Sequence, residues 1–574
     1  MYIQRNRTKG KNGKVYTATF LCSKYREEGK VKTKVLANLS ALPERIVLGI
    51  ENMLKSEKED IVLLKDIVVS KCVDYGYIFL LCHLMKLLRI DELFDKQLSS
   101  QMATHVKAMI LGKIITGGSK LSIFNWLKRE SYSSQLLQIE SKGLKVDDLY
   151  RSLGQLPAYQ KKIQRKWFQY HHGNTRQIYL YDITSTYFEG TQNELAAFGY
   201  NRDGKKGKMQ ICIGLVTDQD GFPLKIEVFQ GNTSDSSTVC AQIRSLKQEF
   251  GVEELIFVGD RGMQIMYHME EDEDIKDSGI GFITGLTRKG IEEMMGRGVI
   301  QLSMFSKELA EVTDSDKRYI LSVNPDLEAS EHLYLKHKKE QVDSLLERIS
   351  TSWKNRRYKN MENTLALQKG EKKSKKLKTE FSPKDIDNYK RRVYRILEDH
   401  KMTRYYTINT INNDMFKIDF DEQNFSHAES LCGKYVVCTN VKGESLNTKQ
   451  VRTHYKNLQE VEHAFRDLKS DNISIRPVFH RNESQTRGHV LVCFFAYAII
   501  KEMENRILPF LKTYNKDKKV QLSFNDIIQE LNNIKICELQ IGKGEKSLTY
   551  PDLNPLQEKV FNLFNINHKD MIAQ

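Results

Sequence analysis

The sequence predicts an α/β protein whose central sheet of five strands is interrupted by a long insertion. Three observations lead there. Between 177 and 287, short apolar runs and helical stretches follow the order β-β-β-α-β-α-β. From 290 to 450 that pattern gives way to charged, largely helical text. After 453 it resumes with an amphipathic helix and then a strongly apolar one.

Residues 1–60 are basic and strand-like. Val15 to Leu21 is β-branched and aromatic, Val31 to Leu36 alternates, and Glu28-Gly29-Lys30 between them reads as a turn, so a basic β-hairpin is expected. Residues 61–175 read as a helical, DNA-binding region. Ile78, Leu81, Leu84, Leu87 and Leu88 recur at helical spacing, and Lys113, Lys120, Lys128 and Arg129 offer a basic face. The first part of the sheet domain spans 176–290. Ile178 to Asp182 is an apolar run ending in a carboxylate. Runs 209–217 and 224–229 flank the turn text Asp218-Gln219-Asp220-Gly221-Phe222-Pro223 and read as a hairpin. Ser234 or Asp235 caps a helix to about Phe250, and Leu255 to Val258 is a strand ending at Gly259-Asp260. A helix to about 275 and a strand from Gly281 to Thr287 follow.

The insertion is read as 291–450. Glu331 to Trp353 is a charged helix. Lys354 to Lys378 holds 10 Lys/Arg against 2 Glu and reads as a solvated basic arm, and Gly433 to Thr439 as a returning strand. Residues 451–510 are the second part of the sheet domain, and 511–574 a helical tail.

Lys plus Arg is 89 and Asp plus Glu 74, a net charge of +15, which points to an anionic partner, nucleic acid or a membrane surface. A membrane span is not expected. The longest apolar run, Val490 to Ile500, has 11 residues where a spanning helix needs about 20. The basic N-terminus is not followed by an apolar stretch, so no secretory signal is expected. The nine cysteines are odd in number, scattered and without Cys-x-x-Cys, so neither a disulfide framework nor a structural zinc site is expected, and a cytoplasmic location fits.

Asp182 and Asp260 each follow an apolar strand. If those strands are neighbours, both carboxylates leave the same sheet end, where ligands of α/β sheets collect. Two such carboxylates repel each other unless a divalent cation lies between them, and oxygen ligands suit Mg²⁺ or Mn²⁺. Either Asp alone reads equally well as a turn residue. A third carboxylate is Glu462, on a helix through Lys469 whose one face carries Tyr455, Leu458, Glu462, Arg466 and Lys469 while Val461, Phe465 and Leu468 form an apolar stripe. Alone, Glu462 and Arg466 would be an ordinary surface pair.

Together these pieces resemble the RNase H-like, retroviral-integrase plan of the DDE transposases. The resemblance is closest to their bacterial insertion-sequence branch, where a strand-containing insertion separates the second Asp from the Glu. That branch carries Tyr, two residues, Arg, three residues, Glu, six residues, Lys. Tyr455, Glu462 and Lys469 match it, with Leu458 at the arginine position. Similar flanking text is Tyr181-Asp182-Ile183-Thr184-Ser185-Thr186-Tyr187, Gly231-Asn232-Thr233-Ser234-Asp235, Gly259-Asp260-Arg261-Gly262 and Ile475-Arg476-Pro477-Val478. The resemblance covers about 175 to 505.

It implies that Asp182, Asp260 and Glu462 hold two Mg²⁺ ions, Mn²⁺ substituting, for in-line displacement at phosphorus that nicks transposon ends and joins the 3′-OH to target DNA. Tyr455, Arg466 and Lys469 would contact phosphates beside the cleavage point, with Arg261, Arg202, Lys205, Lys206 and Lys208 nearby. The expected partners are double-stranded DNA, as terminal inverted repeats and target, and a second copy in a synaptic homodimer. The competing readings are a metal-dependent endonuclease without strand transfer and a domesticated DNA-binding relative.

Overall fold

The computed structural model describes residues 1–11, 13–55, 67–129, 136–137, 139, 143–172, 177–276, 279–370, 383–412, 415–470, 473–516, 518–519, 521–541 and 546–567. The chain divides into two compact units. One comprises 1–78, 130–132 and 525–574, the other 79–129 and 133–524.

In the first unit, β1 (Tyr2–Lys9), β2 (Val15–Glu27) and β3 (Lys30–Asn38) form an antiparallel sheet. The expected hairpin is β2–β3. Its turn places Glu28 and Gly29 at φ of 48° and 76°, the pair of left-handed residues that matches strand twist. The hairpin gains a third strand, β1, which escapes sequence reading because its polar text Gln4-Arg5-Asn6-Arg7 has no apolar alternation. Arg5 of β1 pairs with Glu51 at 2.6 Å, tying the sheet to the Glu44–Lys55 helix.

β4 (Ile67–Asp74) corrects the all-helical reading of 61–175. The second unit's sheet follows, built from β5 (Gln177–Tyr187), β6 (Gln210–Thr217), β7 (Pro223–Gln230), β8 (Leu255–Gly259), β9 (Gly281–Gly285), β10 (Ala310–Asp314), β11 (Lys317–Val323) and β14 (Lys434–Thr439). It has eight strands, not five, in the order β10-β11-β14-β9-β8-β5-β6-β7. The first five strands of the expected core are all present. The extra three come from text assigned to the insertion, because β14 pairs antiparallel with β9, Val437 opposite Gly285, and β11 pairs with β14. The sheet is mixed: β5 with β8 and β8 with β9 are parallel, the other pairings antiparallel. All residues of β6 and β8 are buried, as strands covered on both faces should be.

The edge strand β7 is shielded. Gln164 on the Gln160–His171 helix donates to the Ile226 carbonyl at 3.1 Å and accepts from its N–H at 2.8 Å, while Arg487 donates to the Val228 carbonyl at 2.8 Å. Those side chains take the place of a ninth strand. Trp167 on the same helix donates to the Pro223 carbonyl at 2.9 Å and packs against Phe222, Phe494 and Phe495. The two phenylalanines belong to the Glu483–Tyr514 helix, whose stretch Val490–Ile500 is entirely buried. No described helix is long and apolar enough to cross a membrane.

Between β11 and β14 lies a body with its own core. Pro325–Gln368 is one helix of 44 residues, started by an Asn324 cap with proline at its first position. Val342, Leu346, Ile349 and Trp353 pack on Tyr389, Val393 and Leu397 of the Pro383–Asp399 helix and on the hairpin β12 (Tyr406–Asn412) and β13 (Met415–Phe420). This corrects the basic arm. Residues 354–368 continue the helix, and Asn360 among them is buried; 371–378 lie outside the described residues.

The tail is not all helical. β15 (Lys535–Ile541) and β16 (Lys546–Thr549) precede a Pro555–Leu563 helix, and β15 pairs antiparallel with β4. That pairing sets Cys537 opposite Cys72 with Cα atoms 4.3 Å apart, and a disulfide joins them, contrary to the expectation of none. The two lie 465 positions apart, so no local spacing announces the pair.

Candidate active site

Asp182 does not end its strand as expected. β5 runs on to Tyr187 alongside β6, with Asp182 opposite Leu215. The parallel pairing of β5 with β8, however, stops at Tyr181 opposite Gly259. Asp182 and Asp260 are each the next residue, so they leave that pairing side by side at the carboxyl ends of two parallel strands. Asp182 is half-buried and accepts from the Ile183 N–H at 2.8 Å. Burial pushes its carboxyl up to about 7; the Ile183 N–H and Arg202 oppose this, and the charges of Asp260 and Asp235 add to it. Asp260 is exposed.

Asp235 is a carboxylate that sequence reading treated only as a helix cap. It opens the Asp235–Arg244 helix and pairs with Arg202. With Thr184, Asn232 and Gly262 the pair lines a cavity of about 520 Å³ beside Asp182.

The expected single helix from Tyr455 to Lys469 is two, Thr448–Lys456 and Leu458–Lys469, meeting at Asn457, whose ψ is −10° and whose side chain donates to the Gln219 carbonyl at 3.2 Å. Tyr455 lies before the break, and its hydroxyl points to Asp260 at 3.5 Å. Gly285 at the end of β9 allows this: a Cβ there would lie 2.2 Å from the tyrosine oxygen. After the break, Val461, Phe465 and Leu468 are buried as expected, joined by Ala464, and the helix packs on β5.

Lys469 donates to Thr184 Oγ1 at 2.8 Å, to the Ser185 carbonyl at 2.8 Å and to Asp203 at 3.0 Å. Glu462 is two turns away on the same face, exposed. Its side chain is not gathered with the two aspartates. Among the described residues no group of three or more His, Cys, Asp or Glu is close enough to hold a metal. The donor chemistry nevertheless suits a divalent cation. Asp182 and Asp260 offer only hard carboxylate oxygens, and the repulsion that Asp260 and Asp235 exert on Asp182 is the kind a cation relieves.

The basic residues expected at DNA are partly committed elsewhere. Arg202 holds Asp235, Lys208 holds Glu189 at 2.6 Å, and Lys205 sits 5.8 Å from the Tyr187 ring. Arg261, Lys206 and Arg466 are exposed. Lys469 is largely enclosed by the contacts above. Its partner Asp203, whose side chain is 1% exposed, also binds Arg476 at 2.5 Å and the Tyr187 N–H at 3.1 Å. Sequence reading missed Asp203, which stands in an unremarkable Asp-Gly turn. Asp203→Asn should lower stability by about 3 kcal/mol, because two cations then lose their shared counter-charge. A urea-unfolding midpoint unchanged from wild type would show that the three groups act independently.

Residues 173–499, more than half of the chain, match the family described as Transposase DDE domain. The chain therefore belongs to the DDE-domain transposases. Residues 3–61 match the N-terminal domain of IS1634 family transposases, in keeping with a bacterial insertion-sequence transposase. No curated protein matches the chain. Among solved structures it is similar to the cryo-EM structure of the piggyBac transposase synaptic complex with hairpin DNA, at 8% identity over 81% of this chain and 82% of that one. The TM-score of 0.34 makes that likeness too distant to carry an argument.

Proposed function

We propose that this transposase carries out cut-and-paste transposition on an RNase H-like core, with Asp182, Asp260 and Glu462 as catalytic carboxylates and Mg²⁺ as the metal. The observation that carries the reading is the register of β5 on β8, which sets Asp182 beside Asp260 with Tyr455 reaching the second of them. Bound there, divalent cations supply activation of the attacking oxygen and stabilisation of the leaving one. The chain's own residues do the rest. Tyr455 fixes the Asp260 carboxylate, Lys469 anchors the Glu462 helix to Thr184 and Ser185, and Arg466, Arg261 and Lys206 face solvent where a DNA backbone can lie. Glu462, exposed and two turns from Lys469 on the same face, would be the third carboxylate to hold the metal. Two transposon ends must be held at once, so the working form is a DNA-bound homodimer.

The test is a duplex ending in the element's own terminal repeat, incubated with Mg²⁺ and a target plasmid. Nicking at the end and joining of the 3′-OH to target are both expected, and both should stop with a chelator. Nicking without joining would make the protein an endonuclease instead, and DNA binding without either reaction a catalytically inactive relative.

The long helix of the insertion supports backbone contact. Replacing Lys354, Arg357 and Lys359 by Gln should weaken binding to all DNA alike and flatten the salt dependence by roughly one to three units of logarithmic slope, since each lost phosphate contact releases fewer counterions. Substitution is the right test because deleting this stretch would remove part of a helix that packs through Trp353 and Asn360. Altered preference for the element's ends would instead mean that this face reads sequence.

A further inference from the structure

Away from the carboxylates, a cavity of about 630 Å³ opens between the Ser100–Thr116 and Lys120–Lys128 helices and the 474–485 segment. Its wall holds Lys113, Lys120, Arg476, Arg481, His480 and His489, and no Asp or Glu. Lys113 and Lys120 were expected on an exposed basic face but are 3% and 2% exposed. Neither amine has a carboxylate partner among the described residues. Lys113 donates to the Gly117 and Gly118 carbonyls at 3.0 and 3.2 Å. Lys120 lies 3.0 Å from His489 Nδ1. The other ring nitrogen, Nε2, is 3.1 Å from the Ile475 carbonyl, which can only accept, so Nε2 carries the proton and Nδ1 takes one from Lys120.

Two lysine amines are thus buried on lone pairs alone, an arrangement whose charged form costs stability unless an anion arrives. The neighbouring carboxylates are already engaged: Asp203 by Lys469 and Arg476, Glu483 by Arg487, and Glu194 by the Glu483 N–H. Burial pushes the Lys120 amine down to about 7; Cys493 opposes the shift and the charge of Lys113 adds to it. Arg481 stands exposed at the mouth and Arg476 reaches from the wall to Asp203. Through Asp203 the cavity is linked to Lys469, and so to β5 two residues beyond Asp182.

We propose that this cavity is a phosphate seat, filled by a backbone phosphodiester of the DNA on which the protein acts. The choice of DNA as the source rests on the transposase reading above; the seat itself does not.

Inorganic phosphate is the first probe, with the full chain in thermal unfolding. It should raise the melting temperature of wild type but not of Lys120→Met or Arg481→Gln. Arg481→Gln changes an exposed side chain and keeps the test valid if the buried variant folds poorly. The second probe is a mixed-sequence duplex with chelator present. Each variant should bind it about tenfold more weakly, as loss of one charge-assisted contact predicts, and with a salt slope lower by about one. A phosphate shift of equal size in wild type and variants overturns the seat. A selective phosphate shift with unchanged DNA affinity overturns DNA as the occupant and leaves free phosphate. Asp182→Asn should keep both the phosphate shift and the duplex affinity. Failure of nicking would therefore count against the transposition chemistry and not against the cavity.

Discussion

Asp182→Asn, Asp260→Asn and Glu462→Gln are each expected to lower Mg²⁺-dependent nicking by a thousandfold or more while leaving DNA affinity within a small factor of wild type. On the proposed assignment each change would remove an oxygen ligand of the metal and almost no volume, so the expected loss is of transition-state charge stabilisation, several kcal/mol at about tenfold per 1.4 kcal/mol. The control is Glu460→Gln. Glu460 faces the other way, pairing with Lys501 of the Glu483–Tyr514 helix at 3.3 Å and lying against Gly221. Its loss should cost some stability and no chemistry. Nicking by end-labelled duplex, with affinity measured in parallel without metal, separates the two. If Glu460→Gln were as inactive as Glu462→Gln while still folded, the third carboxylate would be misassigned.

Gly231→Ala should be the most damaging change that touches no charged group. A Cβ at this position would lie 1.8 Å from the Gln210 carbonyl oxygen and 2.7 Å from that of Ala197, both backbone atoms that no side-chain rotation can move aside. The Gly231 carbonyl also accepts from Gln210 Nε2 at 2.7 Å, and its N–H donates to the Leu195 carbonyl at 2.9 Å. The glycine therefore clamps the 195–202 loop, with Arg202, against the turn that delivers Asp235 beside Asp182. The expected cost is about 3 kcal/mol or more, the range of severe overpacking, with nicking lost below the temperature of unfolding. Gly49→Ala, in the Glu44–Lys55 helix with nothing within 4 Å of the added carbon, should raise stability by about 0.5–1 kcal/mol. Equal melting temperatures for wild type and Gly231→Ala would refute the steric argument.

Much of the catalytic sheet was legible because its strands are short apolar runs cut by turn residues. Leu255–Gly259 and Gln210–Thr217 read as strands for the same reason that they are buried on both faces. The apolar stripe of Val461, Phe465 and Leu468 was legible from helical period alone, and it docks as that period requires. Period also assigned Glu462 to the face shared with Lys469. What periodicity cannot carry is pairing between distant segments. β10, β11 and β14 join the main sheet, β4 meets β15, and Cys72 meets Cys537, only because the chain closes on itself. The break at Asn457 is likewise tertiary, since a helix-compatible residue is held by a carbonyl more than two hundred positions away, that of Gln219.

Which residue types stand at the strand ends, and that the protein is basic enough to seek an anion, follow from the order of residues alone. Those are properties of composition, period and spacing. Which charges are engaged and which face solvent depends on how the distant segments pack. That packing sank Lys113 and Lys120 into a cavity, gave Lys469 and Arg476 to Asp203, and set Asp235 beside Asp182. A charge is worth little or much according to what it faces and how far from water it lies, and neither can be read from a residue's place in the chain.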